Sequence, residues 1–260
     1  MTRPLMLVAL AAACTAPRPG PSAARPVEPV SEPVRLASPE APGRPVPGAP
    51  LPARGELRHQ MLAHFAAVSA LQRAVTGGQL DEARRHARWL VAHDEPPVGA
   101  PDDGRPFADD LRASARAVVD APDLPTAAAL TARLGQACGR CHDARAAAIS
   151  FAWEPEPAAA PSLAAQMQRH QWAAARLWEG LVGPSDEMWA EGSRVMAAMQ
   201  LDAALIVPGV PRGDLAALAD QVRSLARRAT ALTRHDERAA LYGELLSTCA
   251  GCHALARRER

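Results

Sequence analysis

Four of the five cysteines in this sequence fall in two copies of one motif. The motifs read Cys138-Gly-Arg-Cys141-His142 and Cys249-Ala-Gly-Cys252-His253. A Cys-x-x-Cys-His run is the attachment pattern of c-type haem, in which both thiols add to haem vinyl groups as thioethers. On a helix this spacing puts the two sulfurs one turn apart on one face, and the adjacent histidine can reach the iron from the same side. The two motifs therefore predict two covalently bound haem c groups with their iron.

Other uses of these cysteines fit the sequence less well. A thioredoxin-like redox pair needs its Cys-x-x-Cys at a helix start beside a parallel sheet, and no strand pattern is present. A zinc site shared by the motifs would need thiolates about 110 residues apart, and it would leave two histidines unused. Disulfides between cysteines on adjacent helical turns would be strained.

The two motifs lie at equivalent places in an internal repeat. The first half begins Met61-Leu-Ala-His64 and the second begins Met167-Gln-Arg-His170, an offset of 106 residues that persists to Gly77 and Gly183. The motifs themselves are offset by 111 residues, so the second half carries five extra residues. We expect two domains, residues 55–151 and 162–260, joined by a proline-containing linker at 152–161.

Apolar residues in both halves recur at alternating spacings of four and three, which is the pattern of helices in a bundle. Abundant alanine and scarce β-branched residues other than valine also favour helices. The predicted helices span residues 55–76, 79–94, 106–120, 126–149, 162–182, 185–206, 212–233 and 236–257. The predicted fold is all-α, with two tandem antiparallel four-helix bundles that each carry a covalent haem c on the last helix.

Each half resembles the cytochrome c-prime family and its low-spin relatives, four-helix bundles with a Cys-x-x-Cys-His motif on the last helix. The resemblance covers nearly all of both repeats. It implies that His142 and His253 are the proximal iron ligands and that each haem packs between the last and first helices. The family often has an arginine four residues after that histidine. Arg257 fits, whereas the first half has Ala146 at that place and Arg145 one position earlier.

The resemblance also bears on the sixth iron ligand. In the low-spin relatives a first-helix methionine supplies it, and in cytochrome c-prime proper an apolar side chain leaves the position open. Met61 and Met167 lie on the inward seam at equivalent places, so we predict them as the sixth ligands, although methionine is also a common core filler. His64 and His170 are the rivals, one turn further along the seam, and bis-histidine ligation would lower the reduction potential.

The N-terminal residues predict export. Arg3 and the apolar run that follows it give residues 1–13 the proportions of a signal peptide. The alanines before Cys14 resemble a bacterial lipoprotein cleavage site, with Cys14 as the lipidated residue. Leu10 stands four rather than the usual three residues before that cysteine, so an ordinary export signal is the alternative. Residues 14–54 are predicted to be a disordered tether, because 12 of the 36 residues from Pro17 to Pro52 are proline.

Charge and composition exclude some classes of function. The 29 basic residues, all arginine, balance 28 acidic ones, which argues against a basic nucleic-acid binder. No acid–base constellation indicates an enzyme. We expect an exported dihaem cytochrome on the periplasmic side of a bacterial membrane, held by a lipid anchor, that carries electrons between redox partner proteins. The alternatives are a five-coordinate haem protein that binds NO or CO, and a haem-bearing subunit of a larger redox complex.

Overall fold

A computed structural model describes residues 54–93, 105–147, 149–199 and 212–258, and these ranges contain eight helices and no strand. The all-α class is therefore confirmed. The helices are α1 (Arg54–Thr76), α2 (Leu80–Ala92), α3 (Arg105–Val119), α4 (Leu124–Ala144), α5 (Leu163–Val182), α6 (Asp186–Ala198), α7 (Arg212–Ala229) and α8 (His235–Arg258).

Capping side chains fix several of the helix starts. The side chains of Asp123, Ser162 and Ser185 each accept a hydrogen bond from a backbone N–H in the first turn of α4, α5 and α6, respectively. Such caps satisfy backbone donors that the helix itself leaves unpaired. Every observed start lies within two residues of the predicted one.

Three helices end at least four residues earlier than the periodicity predicts. The predicted end of α4 at residue 149 is wrong, because the helix stops at Ala144 and Ala146 adopts a left-handed φ of 46°. The predicted end of α6 at residue 206 is wrong as well, since the backbone turns extended at Met199. The last helical residue of α7 is Ala229 rather than residue 233. Apolar spacing continues through these turns, so it marks the buried face better than the helix end.

The eight helices belong to one compact unit with a shared core. Within each half successive helices pack against each other, and the last helix also contacts the first. The most extensive helix–helix contact nevertheless crosses between the halves and joins α4 to α8. Further contacts of α1 with α8 and of α4 with α5 place the first and last helices of both halves at the centre. The division into two domains at residues 152–161 stays a prediction.

Helices α4 and α8 run antiparallel. A Cβ added at Gly243 would meet backbone atoms of Ala129 and the side chain of Ala132, whereas Gly139 lies against His235 at the start of α8. Ala132 and Gly243 are equivalent in the repeat, so the helices cross at equivalent positions. Each motif begins six residues beyond the crossing. At 1.5 Å per residue, the two motifs lie about 18 Å apart along the helix pair.

The linker between the halves packs against the second half. The indole N–H of Trp172 donates to the carbonyl of Glu154 at 3.0 Å. The Glu156 carboxylate accepts hydrogen bonds from Arg169 on α5 and from Arg194 on α6. The linker thus follows α5 closely before the chain enters that helix.

The predicted signal peptide, Cys14 and the tether up to residue 53 lie outside the described residues. None of the described helices is long and apolar enough to cross a membrane.

Candidate functional site

Both motifs lie in the C-terminal parts of their helices, α4 and α8. Cys249 is buried, and the other three motif cysteines are half-buried. No disulfide joins these four residues. Each Cys-x-x-Cys pair thus lies within one helix, with its two cysteines about one turn apart.

The environment of these thiols disfavours thiolate chemistry. Burial raises the pKa of Cys138 to about 12, and the nearby Cys141 thiol adds to the rise. Burial, with a contribution from Cys252, raises the pKa of Cys249 to about 12 as well. A redox-active Cys-x-x-Cys pair instead needs a lowered pKa, which a helix N-terminus or a neighbouring cation provides. Here the motifs lie toward the negative ends of their helix dipoles. Cys138 and Cys249 are therefore protonated at neutral pH, which argues against a thioredoxin-like role.

The motif histidine of the first half is held by the second half. His142 Nδ1 lies 2.8 Å from the carbonyl oxygen of Val182, the last residue of α5. A carbonyl can only accept, so Nδ1 carries the hydrogen and Nε2 of the neutral ring keeps its lone pair. Histidines that ligate metals commonly donate their other N–H to a backbone carbonyl in this way.

The motif histidine of the second half makes the equivalent contact. His253 hydrogen-bonds to the backbone of Thr76, the last residue of α1, which corresponds to Val182 in the repeat. Burial lowers the pKa of His253 below its usual value, and the hydrogen bond to Thr76 opposes that shift. His253 is therefore neutral at pH 7, as an iron ligand must be.

Arg257 lies at the same junction. Its guanidinium donates to the carbonyl oxygens of Gly77 and Gly78, directly after the end of α1. These carbonyls belong to the negative end of the α1 dipole, which an arginine stabilises. The resemblance drew attention to Arg257, and the structure gives it a bridging role between the halves. Sequence reasoning missed Val182 and Thr76, whose contribution is a backbone carbonyl rather than a side chain.

Two contacts fix the register of α5 against α8. His170 Nε2 lies 3.8 Å from the Cys249 sulfur, and the Trp178 ring stacks on Tyr242 with centroids 5.6 Å apart. Later residues of α5 thus pair with earlier residues of α8, so these helices are antiparallel. Extending the register by one turn puts Met167 level with Cys252. Met167 and its repeat equivalent Met61 are both half-buried.

The two seam histidines differ in their surroundings. His170 is 8% exposed, its Nδ1 has no hydrogen-bond partner among the described residues, and burial lowers its pKa to about 4. His64 is half-buried, and its Nε2 lies 3.0 Å from the carbonyl oxygen of His93 at the end of α2. The His64 ring also packs against Trp89 in a T-shaped arrangement, with ring centroids 6.3 Å apart. The two halves thus differ in the surroundings of this histidine.

Within the described ranges, no group of three or more histidine, cysteine, aspartate or glutamate side chains could hold a bare metal ion. The separation of the motifs along α4 and α8 likewise argues against a shared zinc site. The chain matches no protein-family model, no curated protein and no solved structure.

Proposed function

We propose that the chain is a dihaem c-type cytochrome, built of two tandem units similar to the cytochrome c-prime family, that carries electrons between redox partner proteins. The observation that supports this most is the matched setting of the two motif histidines. His142 and His253 each hydrogen-bond to the backbone at the end of the other half's first helix. The repeat thus preserves the backbone contact of the motif histidine together with the Cys-x-x-Cys-His spacing.

The residues present fit haem c in both halves. Cys138 and Cys141 would bind the first haem and Cys249 and Cys252 the second, each thiol adding across a vinyl double bond so that its hydrogen passes to the neighbouring carbon. His142 and His253 would be the proximal ligands, because the backbone contacts orient their rings. Haem iron then supplies reversible one-electron chemistry.

The sixth position of the first iron is assigned to Met61. It lies on α1, which packs against α4. The α5–α8 register, transferred through the repeat, puts Met61 level with Cys141. His64 is the poorer candidate in this half, since its Nε2 hydrogen is directed to the His93 carbonyl. In the second half the choice lies between Met167 and His170.

The cellular setting follows from the sequence alone. Haem c is attached outside the cytoplasm, in agreement with the predicted signal peptide at residues 1–13. Cys14 would anchor the protein to the membrane, and the proline-rich tether would hold the helices away from its surface. In this setting the protein is a carrier and not an enzyme.

Haem content tests the proposal directly. The full chain is produced in a host that matures haem c, and the covalent haem is counted by intact mass and by the haem-to-protein absorbance ratio. We expect two haems in the wild type, one in Cys138→Ala/Cys141→Ala and one in Cys249→Ala/Cys252→Ala. Cys14→Ser is the matched control and should retain two. A wild type without covalent haem would refute the proposal.

Carbon monoxide distinguishes electron transfer from gas binding. A sharp reduced α-band that carbon monoxide leaves unchanged indicates six-coordinate irons and favours electron transfer. A broad band that shifts on both haems would instead make the protein a gas-binding one.

A further inference from the structure

We propose that His170 is the sixth ligand of the second iron, so that the two haems of one chain have different axial ligands. This inference rests on the proposed function. It replaces Met167 by His170 in the second half and leaves Met61 in the first.

The first argument is that a buried ring nitrogen of His170 has no hydrogen-bond partner among the described residues. The His170 ring is buried, and no atom of the described chain accepts or donates a hydrogen bond at Nδ1. Polar atoms buried in this way nearly always have a partner, because loss of hydration is otherwise uncompensated. Met167 needs no hydrogen-bond partner, since a thioether is stable in an apolar setting.

The second argument is location. His170 Nε2 contacts the Cys249 sulfur at 3.8 Å, and the ring is close enough to His253 for the two to interact electrostatically. Thioether formation would remove the Cys249 S–H hydrogen, so the sulfur would keep only a weak acceptor role toward Nε2. The imidazole would then lie beside the haem with no strong protein partner described for either nitrogen. Iron binds the lone pair of a neutral imidazole, so it would supply one of the two missing partners.

The third argument is the contrast with the first half. His64 occupies the equivalent position, but its Nε2 donates to the His93 carbonyl and its ring meets Trp89. The repeat equivalents of Trp89 and His93 are Val195 and Met199. The two positions that surround His64 with aromatic rings thus carry no aromatic ring in the second half. The two histidines therefore have different surroundings, and the contact with a motif cysteine that is described is the one made by His170.

Unequal ligands imply unequal reduction potentials. Histidine–methionine ligation raises the potential of a c-type haem relative to bis-histidine ligation. The first haem would hold an electron more tightly than the second, so a single electron entering the chain would reside on the first haem.

The test compares His170→Ala with His64→Ala, the matched change in the other half, in the fully loaded protein. After reduction, His170→Ala should bind carbon monoxide at half of its haem, whereas His64→Ala and the wild type should bind none. His170→Met keeps the buried volume and covers the case in which the alanine variant does not fold. It should strengthen the weak ferric absorption of an iron–sulfur bond and shift the lower of the two midpoint potentials upward.

Other results would overturn the inference. Carbon monoxide binding in Met167→Ala but not in His170→Ala would assign the ligand to Met167. Carbon monoxide binding at half of the wild-type haem that stays at half in His170→Ala would indicate an open second iron. Both results require two covalent haems per chain, so they refute the His170 assignment alone. A chain that carries no haem would refute the proposed function itself.

Discussion

Gly139, between the two cysteines of the first motif, lies where α4 meets the end of α5. A Cβ at this position would overlap the carbonyl oxygen of Leu181 and the ring of His235. The equivalent junction in the second half has Ala250 in the motif, and there the small residue is Gly78, at a φ of 66°, whose Cβ would meet the Ala250 carbonyl oxygen at 2.9 Å. Each junction therefore contains a glycine at the point of close approach. At the first junction it is Gly139 in the motif helix α4, and at the second it is Gly78, just after the end of α1.

Gly139→Ala should destabilise the protein. The added methyl group has to push α4 away from α5, and overpacking of this kind costs about 1–3 kcal/mol. Urea unfolding followed by far-ultraviolet circular dichroism measures the loss. Gly213→Ala is the control, because no described atom lies within 4 Å of a Cβ at the exposed start of α7. Its free energy of unfolding should stay the same or rise by up to about 1 kcal/mol. Equal effects of the two changes would contradict the close approach at Gly139.

Met61→Ala should open the first iron of the loaded protein to carbon monoxide, since alanine cannot ligate iron and the half-buried site leaves room for a diatomic ligand. We expect a shift of the reduced spectrum at half of the haem, read by carbon monoxide difference spectroscopy. Leu62→Ala is the neighbouring control, because Leu62 is 53% exposed and should not alter the spectrum. An unchanged spectrum in Met61→Ala would remove Met61 as a ligand.

The sequence could indicate the side chains of the candidate site but not the groups that orient them. Spacing alone identifies His142 and His253. Their partners, the carbonyls of Val182 and Thr76, have no residue-specific signal, since any residue offers the same atom. The difference between His64 and His170 was equally hidden, because it depends on the neighbours that α2 and α6 supply.

At the scale of the helices, the sequence predicts starts better than ends. Asp123, Ser162 and Ser185 each cap the start of a helix with a side-chain hydrogen bond, close to the predicted starts. No glycine or proline follows the end of α4 to indicate in the sequence where the helix stops. Ala146 adopts the left-handed conformation that glycine would favour. The apolar pattern continues across that turn and made the predicted helix too long.

Glu156 should make the docking of the linker sensitive to acid. Its pKa is lowered from 4.5, first by the hydrogen bond from Arg169 and further by Arg194. A carboxyl group with a lowered folded pKa stabilises the fold above its ordinary value, and that contribution is lost as the pH falls through the lowered pKa. We expect Glu156→Gln to reduce the free energy of unfolding at pH 7 by up to about 1 kcal/mol, because the pair is partly exposed.

The same substitution should flatten the decline in stability between about pH 5 and pH 3, measured by urea unfolding at each pH. Glu154→Gln, two residues earlier with an exposed side chain, is the control and should leave the acid profile of the wild type unchanged. Parallel profiles for Glu156→Gln and the wild type would mean that the ion pairs with Arg169 and Arg194 contribute nothing.

At the scale of the whole molecule, the halves meet through residues that break the repeat. Tyr242 stacks on Trp178 and accepts a hydrogen bond from Gln72 at 3.0 Å, and Trp178 donates to Ser69 across the halves. The repeat equivalents of Trp178 and Tyr242 are Gln72 and Thr131, so the centre combines an aromatic pair with a polar pair. Helical periodicity indicates which face of a helix is buried but not which other helix packs against it. The α4–α8 contact could therefore not be predicted from the sequence.

Because the halves share one core, the described helices should unfold in a single transition. Far-ultraviolet circular dichroism and tryptophan fluorescence should give coincident urea curves, and the calorimetric and van't Hoff enthalpies should agree.

Gly243→Val tests the central contact, since a branched side chain there would press on Ala129 and Ala132 where α4 crosses α8. It should lower the stability of the whole unit by about 1–3 kcal/mol and keep the transition single. Ala240→Val introduces the same residue on the exposed face of α8, where its cost should stay below about 1 kcal/mol. Two resolved transitions, with Gly243→Val shifting only one of them, would mean that the halves fold as independent bundles and touch without sharing stability.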